Sequence, residues 1–335
     1  MKIADSNASR DFDNPRETAL KLARFLQLKP DSGITMKPLS GLLLLVLSVA
    51  RPTFAQSLVA DHAKICHTRS PKGKYRMLLC TEGVLKFDDS AKNLTFTGKP
   101  EDNRTLSYND VGKVVFEVTT HMRGGGMSAV LGPAGYAIDA QHVSDYWMYV
   151  APKGTQTEPF LLEISKEESQ KVIDHTKAAF GDRVTLAEFA ENGEEIDKSK
   201  LKDLQGKYKI KYNKEDHPVP EIKADKALVV ILCPALPGAA GGDVFKFHAN
   251  DHVVAVNVLG TYSFVYLDPG KYLLASELGN ANGFEMNLEA GKDYYFMENI
   301  FAGWKAKTHL TRNSKELVLY RIEASYLSDW TRHGN

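Results

Sequence analysis

The chain has 335 residues and a mass of 37.2 kDa, which predicts about two domains. Its 42 Lys and Arg residues balance 42 Asp and Glu residues, so the formal net charge is zero. This balance lacks the basic excess of a nucleic-acid binder, and we expect no nucleic-acid partner. Hydrophobic residues make up 43% and charged residues 25%, which excludes a disordered, fibrous or polytopic membrane protein.

The first informative segment spans residues 36–57. Its apolar stretch, Leu39–Ala50, has 12 residues. A membrane-spanning helix needs about 20 apolar residues, whereas the apolar region of a signal peptide has about 7–15. Pro52 breaks the helix, and the small residues Thr53 and Ala55 occupy the two positions that signal peptidases require.

This pattern predicts a signal peptide over residues 36–55, cleaved after Ala55, and an upstream extension over residues 1–35 that is not native. The mature protein is therefore expected in the periplasm or outside the cell, without a stable membrane span. The sequence leaves two alternatives open. The leucine-rich stretch is either an uncleaved anchor with a short cytoplasmic tail or a buried core helix.

Three cysteines follow the predicted signal peptide. In an oxidising compartment Cys66 and Cys80 can pair, and the short loop between them predicts a stabilisation of about 3 kcal/mol. Cys233 ends an apolar run and is predicted to be a buried free thiol.

Residues 62–181 are predicted to form six or seven short strands followed by one amphipathic helix. Ser165 and Glu168 have the spacing of a capping box, and Gly181 is placed to end the helix. This order of elements resembles the pleckstrin-homology-like superfold, a β-barrel with one C-terminal helix. The resemblance implies a phosphoinositide site near the first hairpin, where the basic residues are Arg69, Lys72, Lys74 and Arg76. The alternative is a solvated basic turn.

Residues 182–226 are rich in charge and lose apolar periodicity, which predicts a charged linker. Within it, an alternation over Lys207–Tyr212 is compatible with an edge strand.

Residues 227–330 predict an antiparallel β-sandwich, with strands about every 9–12 residues and turns between them. The last predicted strand is Glu316–Ile322. Four segments of this region share a pattern with a known family. They are Cys233-Pro234, Val253–Ala255, Tyr262–Tyr272 and Glu289–Phe296. In their order they resemble the bacterial envelope family called domain of unknown function 2846, which is similar to PEGA-type modules. The resemblance implies an envelope β-sandwich and supplies no catalytic residues.

Two polar or flexible segments are candidates for a metal site or a contact surface. His248, Asp251 and His252 offer metal ligands, but their segment is typical of a polar hairpin turn, and no metal site is predicted. The glycine-rich stretch that begins at Arg123 lacks the features of a phosphate loop. Its exposed apolar residues make it a candidate contact loop, with the residues Arg123, Met127, Val130 and Leu131.

An aromatic group is the third candidate. It would form either a ligand-binding face or part of the core, the latter being favoured. Its members are Tyr294, Tyr295, Phe296 and Trp304.

The sequence thus predicts a mainly β, exported envelope protein that acts without catalysis as an interaction or scaffolding module for an envelope protein partner. We predict neither a cofactor nor catalytic residues. One alternative is a protein that binds a small molecule or a glycan. A less favoured alternative is a hydrolase whose site is assembled only in three dimensions.

Overall fold

The computed structural model describes residues 57–69, 77–123, 141–154, 157–187, 191–204, 206–213, 218, 220–235, 244–301 and 307–332. All of these belong to the unit Ala55–Asn335. The predicted extension and signal peptide over residues 1–55 lie outside the described residues. Neither of the described helices is long and apolar enough to cross a membrane.

The first half of the described chain forms a sheet of eight strands that curls into a half-barrel. Neighbouring strands are antiparallel, except that β8 runs parallel to β5. The strands lie in the order β4-β3-β2-β1-β7-β6-β5-β8. Their bounds are β1 Leu58–Arg69, β2 Met77–Asp88, β3 Asn93–Thr97, β4 Arg104–Ser107, β5 Val111–Arg123, β6 Gln141–Pro152, β7 Phe160–Ile164 and β8 Val184–Leu186.

Helix α1, Lys166–Phe180, follows β7 and packs into the half-barrel. Its buried stripe includes Val172 and Phe180, and Gly181 ends it with a φ of 55°, as predicted. The prediction of a capping box is wrong, because the Ser165 side chain makes no capping hydrogen bond. The Glu168 carboxylate instead accepts hydrogen bonds from the backbone of β1 and so joins the helix to the sheet.

The second half forms two further sheets that face each other. The seven-stranded sheet has the order β11-β20-β15-β12-β18-β19-β9, and the five-stranded sheet has the order β10-β17-β16-β13-β14. The bounds are β9 Glu191–Asn192, β10 Glu194–Glu195, β11 Tyr208–Asn213, β12 Ala227–Cys233, β13 Phe245–Ala249, β14 His252–Asn257, β15 Thr261–Leu267, β16 Gly270–Leu278, β17 Asn280–Leu288, β18 Asp293–Phe301, β19 Lys307–Arg312 and β20 Tyr326–Arg332.

The mainly β fold class, a barrel-like sheet followed by a sandwich, is confirmed. The sandwich is not purely antiparallel, because β18 runs parallel to β12 and β20 runs parallel to β15. The physical reason is the path of the chain. Between β12 and β18 the chain enters the five-stranded sheet, and such a crossover lets it return in the same direction.

The structure corrects the prediction of a charged linker over residues 182–226. It supplies four short strands, and each lies at the edge of a sheet: β8 in the first, β9 and β11 in the second, and β10 in the third. Edge strands tolerate charged side chains because one side of the strand faces water. The predicted edge strand over Lys207–Tyr212 is confirmed as β11.

The predicted strand over Glu316–Ile322 is also wrong, because the chain there forms helix α2, Lys315–Ile322. Ser314 is its N-cap residue, and its side chain accepts a hydrogen bond from the amide of Leu317. Its apolar residues Leu317, Val318, Tyr320 and Ile322 are buried, whereas Lys315 is exposed. The helix is buried between the outer face of the first sheet and the seven-stranded sheet.

The two halves of the chain therefore share a hydrophobic core. One cluster joins Cys66, Trp147 and Leu161 of the first sheet to Tyr320 of α2 and to residues of β12, β15 and β18. Two further cores lie under α1 and between the two sheets of the sandwich, and a small cluster joins Leu201 to β16 and β17. The predicted modules are thus layers of one body within the described residues.

Candidate functional site

The predicted cysteine pair lies on two neighbouring strands of the first sheet. Cys66 and Cys80 are directly opposed on the antiparallel strands β1 and β2 and are joined by a disulfide. Among the described residues Cys233 is a free cysteine, and its side chain is buried. Burial raises the pKa of its thiol, which keeps it protonated and unreactive.

The two histidines of the predicted polar turn lie apart. His248 is fully buried on β13, whereas the side chain of His252 is 77% exposed on β14. Asn250 occupies the turn between them with a φ of 58°, a conformation that Asn tolerates well. Asn250 and Asp251 form the turn between β13 and β14, and His248, Asp251 and His252 do not form a close group of metal ligands in the part of the chain that the structure describes.

The structure describes only part of the predicted contact loop and of the basic first hairpin. Arg123 ends β5, while Met127, Val130 and Leu131 of the predicted contact loop lie outside the described residues. Arg69 ends β1, and the other basic residues of the first hairpin also lie outside them.

The described members of the aromatic group lie in the hydrophobic core, which was the favoured interpretation of the sequence. Tyr294 and Tyr295 are 7% and 5% exposed, and Phe296 is fully buried. Trp304 lies outside the described residues.

A different cluster has the properties of a binding site. It is a groove of about 390 Å³ where the edge of the seven-stranded sheet meets the β13–β14 turn and the segment before β11. We call it the Trp330 groove. Its lining residues are Lys202, Asp203, Tyr208, Asp251, His252, Val253, Trp330 and Arg332.

Two aromatic side chains form the base of the Trp330 groove. Tyr208 on β11 and Trp330 on β20 are both half-buried, and their rings meet edge to face with centroids 5.6 Å apart. The two strands are antiparallel neighbours, and their pairing places both rings on one face of the sheet. Each ring therefore holds the other in place while part of each stays accessible.

Paired charges form the walls. On one side, Asp203 accepts hydrogen bonds from the Tyr208 hydroxyl and, at 2.7 Å, from Arg332 Nη2. On the other side, Asp251 pairs with Lys202 and lies 3.2 Å from His252 Nε2. The hydrogen bond from Lys202 lowers the pKa of Asp251, so this carboxylate stays ionised. Burial, together with the bond to Asp203, raises the pKa of Tyr208 and keeps its hydroxyl protonated.

Asp203 has an unusual backbone. Its φ of 59° lies in the left-handed region, which Asp and Asn adopt more readily than other side chains except Gly. This turn aims the carboxylate at Tyr208 and Arg332 at the same time. Local strain of this kind is often found where a side chain has to be held in a defined position.

A second polar cluster is enclosed inside the sandwich. Glu298 of β18 is fully buried and accepts hydrogen bonds of 2.9 Å from Asn257 Nδ2 and Ser276 Oγ. Ser276 also bonds Thr308 at 2.8 Å, and Ser263 donates to Asn257. Burial raises the pKa of Glu298 to about 7.

Sequence reasoning missed the Trp330 groove. Two local signals of it are present in the sequence. Tyr208 lies in the alternating segment that predicted an edge strand, and Asp251 and His252 belong to the predicted polar turn. Asp203, Asp251 and Trp330 are far apart along the chain, and only the pairing of β11 with β20 and the packing of β14 bring them together.

The chain matches no protein-family model, no curated protein and no solved structure in the three comparisons made.

Proposed function

We propose that this chain is an exported cell-envelope protein that acts without catalysis, as a binding and scaffolding module. The observation that carries the proposal is the disulfide between Cys66 and Cys80. Disulfides persist in oxidising compartments such as the periplasm and are rare in the cytosol. The apolar stretch Leu39–Ala50 has the length that the export machinery recognises, which supports the same compartment.

The ionisable groups of the Trp330 groove support binding rather than hydrolysis. A carboxyl group that protonates a leaving group needs a raised pKa, but the pKa of Asp251 is lowered by Lys202. Glu117 and Glu298 do have raised pKa values, yet they are 3% and 0% exposed and are enclosed by their hydrogen-bond partners. A substrate would not reach them in this conformation. Partial burial also raises the pKa of Glu323 at the end of α2, but this residue lies outside the Trp330 groove.

The shared core supports a scaffolding role. Because α2 is packed between the first sheet and the seven-stranded sheet, the surfaces of both halves are held in one fixed arrangement. A rigid surface loses little entropy when it binds a partner. The resemblances to the pleckstrin-homology-like superfold and to domain of unknown function 2846 remain predictions, and the proposal does not depend on them.

The experiment is cell fractionation of the full-length chain, with N-terminal sequencing and thiol counting of the recovered protein. We expect a mature chain that begins at Gln56 in the periplasmic or extracellular fraction. After denaturation without reductant, one of its three cysteines should react with an alkylating reagent, and all three should react after reduction. Cys233 serves as the internal reference. An unprocessed cytoplasmic chain with three reactive thiols would overturn the proposal.

A further inference from the structure

We infer that the Trp330 groove binds a neutral saccharide, with the apolar face of a pyranose ring against Trp330 and its hydroxyl groups on the paired charges. This inference rests on the proposed function, because it names the ligand class of the proposed binding module. It is carried by the shape, aromatic base and charge balance of the groove.

The size of the groove suits a small ligand. Small-molecule sites usually enclose about 300–1,000 Å³, and the cavity of about 390 Å³ lies near the lower end of this range. It is lined from three separate segments, which are the loop before β11 together with Tyr208 of β11, the β13–β14 turn, and strand β20. A ligand would therefore be contacted from several sides, as a sugar ring requires.

The aromatic base provides the apolar contact. A pyranose ring has a face of C–H groups that packs on an aromatic side chain, while its hydroxyl groups point outward around the rim. Trp330 and Tyr208 offer such a surface, and their edge-to-face contact at 5.6 Å fixes it before a ligand arrives. Little rotamer entropy would then be lost on binding.

The walls provide polar groups around that base. Carboxylate oxygens accept hydrogen bonds from sugar hydroxyl groups, and ammonium or guanidinium groups donate to them, and such charge-assisted bonds are the stronger kind. Asp203 and Asp251 keep free lone pairs besides those that their present partners use. Each is held in position by a cation, Arg332 or Lys202.

The charge balance favours a neutral ligand. Lys202 and Arg332 balance Asp203 and Asp251, so the groove carries no excess of either sign when His252 is neutral. An acidic sugar would be repelled by both aspartates unless it broke their pairs with the cations. A neutral sugar can bond to both members of each pair without breaking either.

Three other grooves of the described surface lack this combination. A groove of about 460 Å³ beside β16 and β17 is lined by Tyr272, Lys271 and Glu285, but it offers a single aromatic ring and no tryptophan. A groove of about 440 Å³ near the start of α2 is lined by Tyr294 and Tyr295, but both rings are buried in the core. A groove of about 500 Å³ beside β10 is lined by the acidic residues Glu194, Glu195 and Asp197 and offers no Trp or Tyr.

The test is a titration of the mature, disulfide-bonded chain with neutral oligosaccharides of glucose, mannose, galactose and N-acetylglucosamine, alongside an oligogalacturonate as the acidic probe. Binding is measured by saturation-transfer NMR and by intrinsic tryptophan fluorescence. We expect at least one neutral probe to bind. The variant Trp330→Ala should weaken that binding by at least about tenfold.

Two further variants make the result specific. Lys202→Met removes an exposed cation of the wall, should leave the fold intact, and should weaken binding several-fold. Tyr266→Ala is the matched control, because it removes a half-buried tyrosine of the same sheet outside the groove. It should bind like the parent chain, and circular dichroism checks that each variant is folded.

The assignment is overturned if no neutral probe binds at millimolar concentration or if only the oligogalacturonate binds. It is also overturned if folded Trp330→Ala and Lys202→Met both bind like the parent. The N-terminus and the thiol count do not depend on sugar binding, so they separate failure of this inference from failure of the proposed function.

Discussion

Glu117 and Asn313 lie 196 residues apart in the chain and meet in the buried layer between its two halves, where Asn313 Nδ2 donates to Glu117 Oε1 at 2.6 Å. The other carboxylate oxygen accepts from the amide and the hydroxyl of Ser314, the N-cap residue of α2. A negative charge at this end of a helix is favourable. One side chain of the first sheet thereby holds the start of α2.

The variant Glu117→Ala should lower the free energy of unfolding by about 2–4 kcal/mol, because it leaves buried donors of Asn313 and Ser314 without an acceptor. Urea unfolding followed by circular dichroism measures the change. Glu82→Ala removes an exposed glutamate from β2 and should change stability by no more than about 0.5 kcal/mol. Equal effects of the two variants would contradict the assigned role of Glu117.

The buried acid Glu298 should make stability depend on pH. Its pKa is about 7 in the folded chain against an ordinary 4.5, so the folded state binds the proton more tightly. The stabilisation is complete below pH 4.5 and is lost as the pH rises through 7. Glu298→Gln mimics the protonated acid and should remove this dependence.

The difference in unfolding free energy between the parent and Glu298→Gln should therefore shift by about 2–3 kcal/mol in favour of the variant between pH 5 and pH 8. Urea unfolding across this range tests it. Parallel pH curves for the two proteins would show that Glu298 is not the responsible group.

His248 should act in the opposite direction. Burial lowers its pKa to about 4 from the ordinary 6.5, and neither ring nitrogen has a hydrogen-bond partner among the residues that the structure describes. The unfolded chain binds the proton more tightly, so stability is present above pH 6.5 and falls as the pH drops towards 4. His248→Leu should raise the unfolding free energy by about 1 kcal/mol at pH 7, and by more at pH 5.

His252→Leu is the matched control, because it changes an exposed histidine of the same turn and should have little effect at either pH. Unfolding of both variants at pH 7 and pH 5 makes the comparison. A loss of stability in His248→Leu would mean that the imidazole makes a favourable contact.

Loss of the disulfide should destabilise the chain. Cys66 and Cys80 are separated by 14 positions, and a closed loop of this length is worth about 3 kcal/mol on the chain-entropy model. The double variant Cys66→Ser, Cys80→Ser should unfold at correspondingly lower urea concentration. Adding reductant should destabilise the parent and leave the double variant unchanged, which separates the disulfide from any other effect of the reagent.

Local patterns were sufficient where one face of an element is buried. Helix α1 buries a stripe that includes Val172 and Phe180, and the sequence predicted it. Strand β5 shows no such contrast, because Val115 and Glu117 are buried as well as Val114 and Phe116.

Strand β1 begins at Leu58, before the predicted domain boundary at residue 62, and this start was missed because a register shift between Ala60 and Ala63 interrupts the alternation that marks a strand. Helix α2 was taken for a strand because it is buried on both sides, so its apolar residues form no single stripe.

The candidate site was harder to predict than the fold. The cysteine pair could be proposed from spacing and compartment alone. The Trp330 groove could not, because Asp203, Asp251 and Trp330 come from segments that meet only after the sheets have formed. The aromatic residues that drew attention in the sequence, Tyr294 and Tyr295, fill the core instead.

The four edge strands β8 to β11 have a consequence for the order of assembly. They come from one continuous part of the chain, yet they border all three sheets. No sheet can reach its final width until that part has docked, and β9 must wait for β19, which is synthesised more than a hundred residues later. Such long-range pairings slow folding. On the ribosome β8 can pair with β5 as soon as it emerges, whereas β9, β10 and β11 have to wait for β19, β17 and β20. These borders of the two sandwich sheets would therefore stay open until most of the chain has emerged.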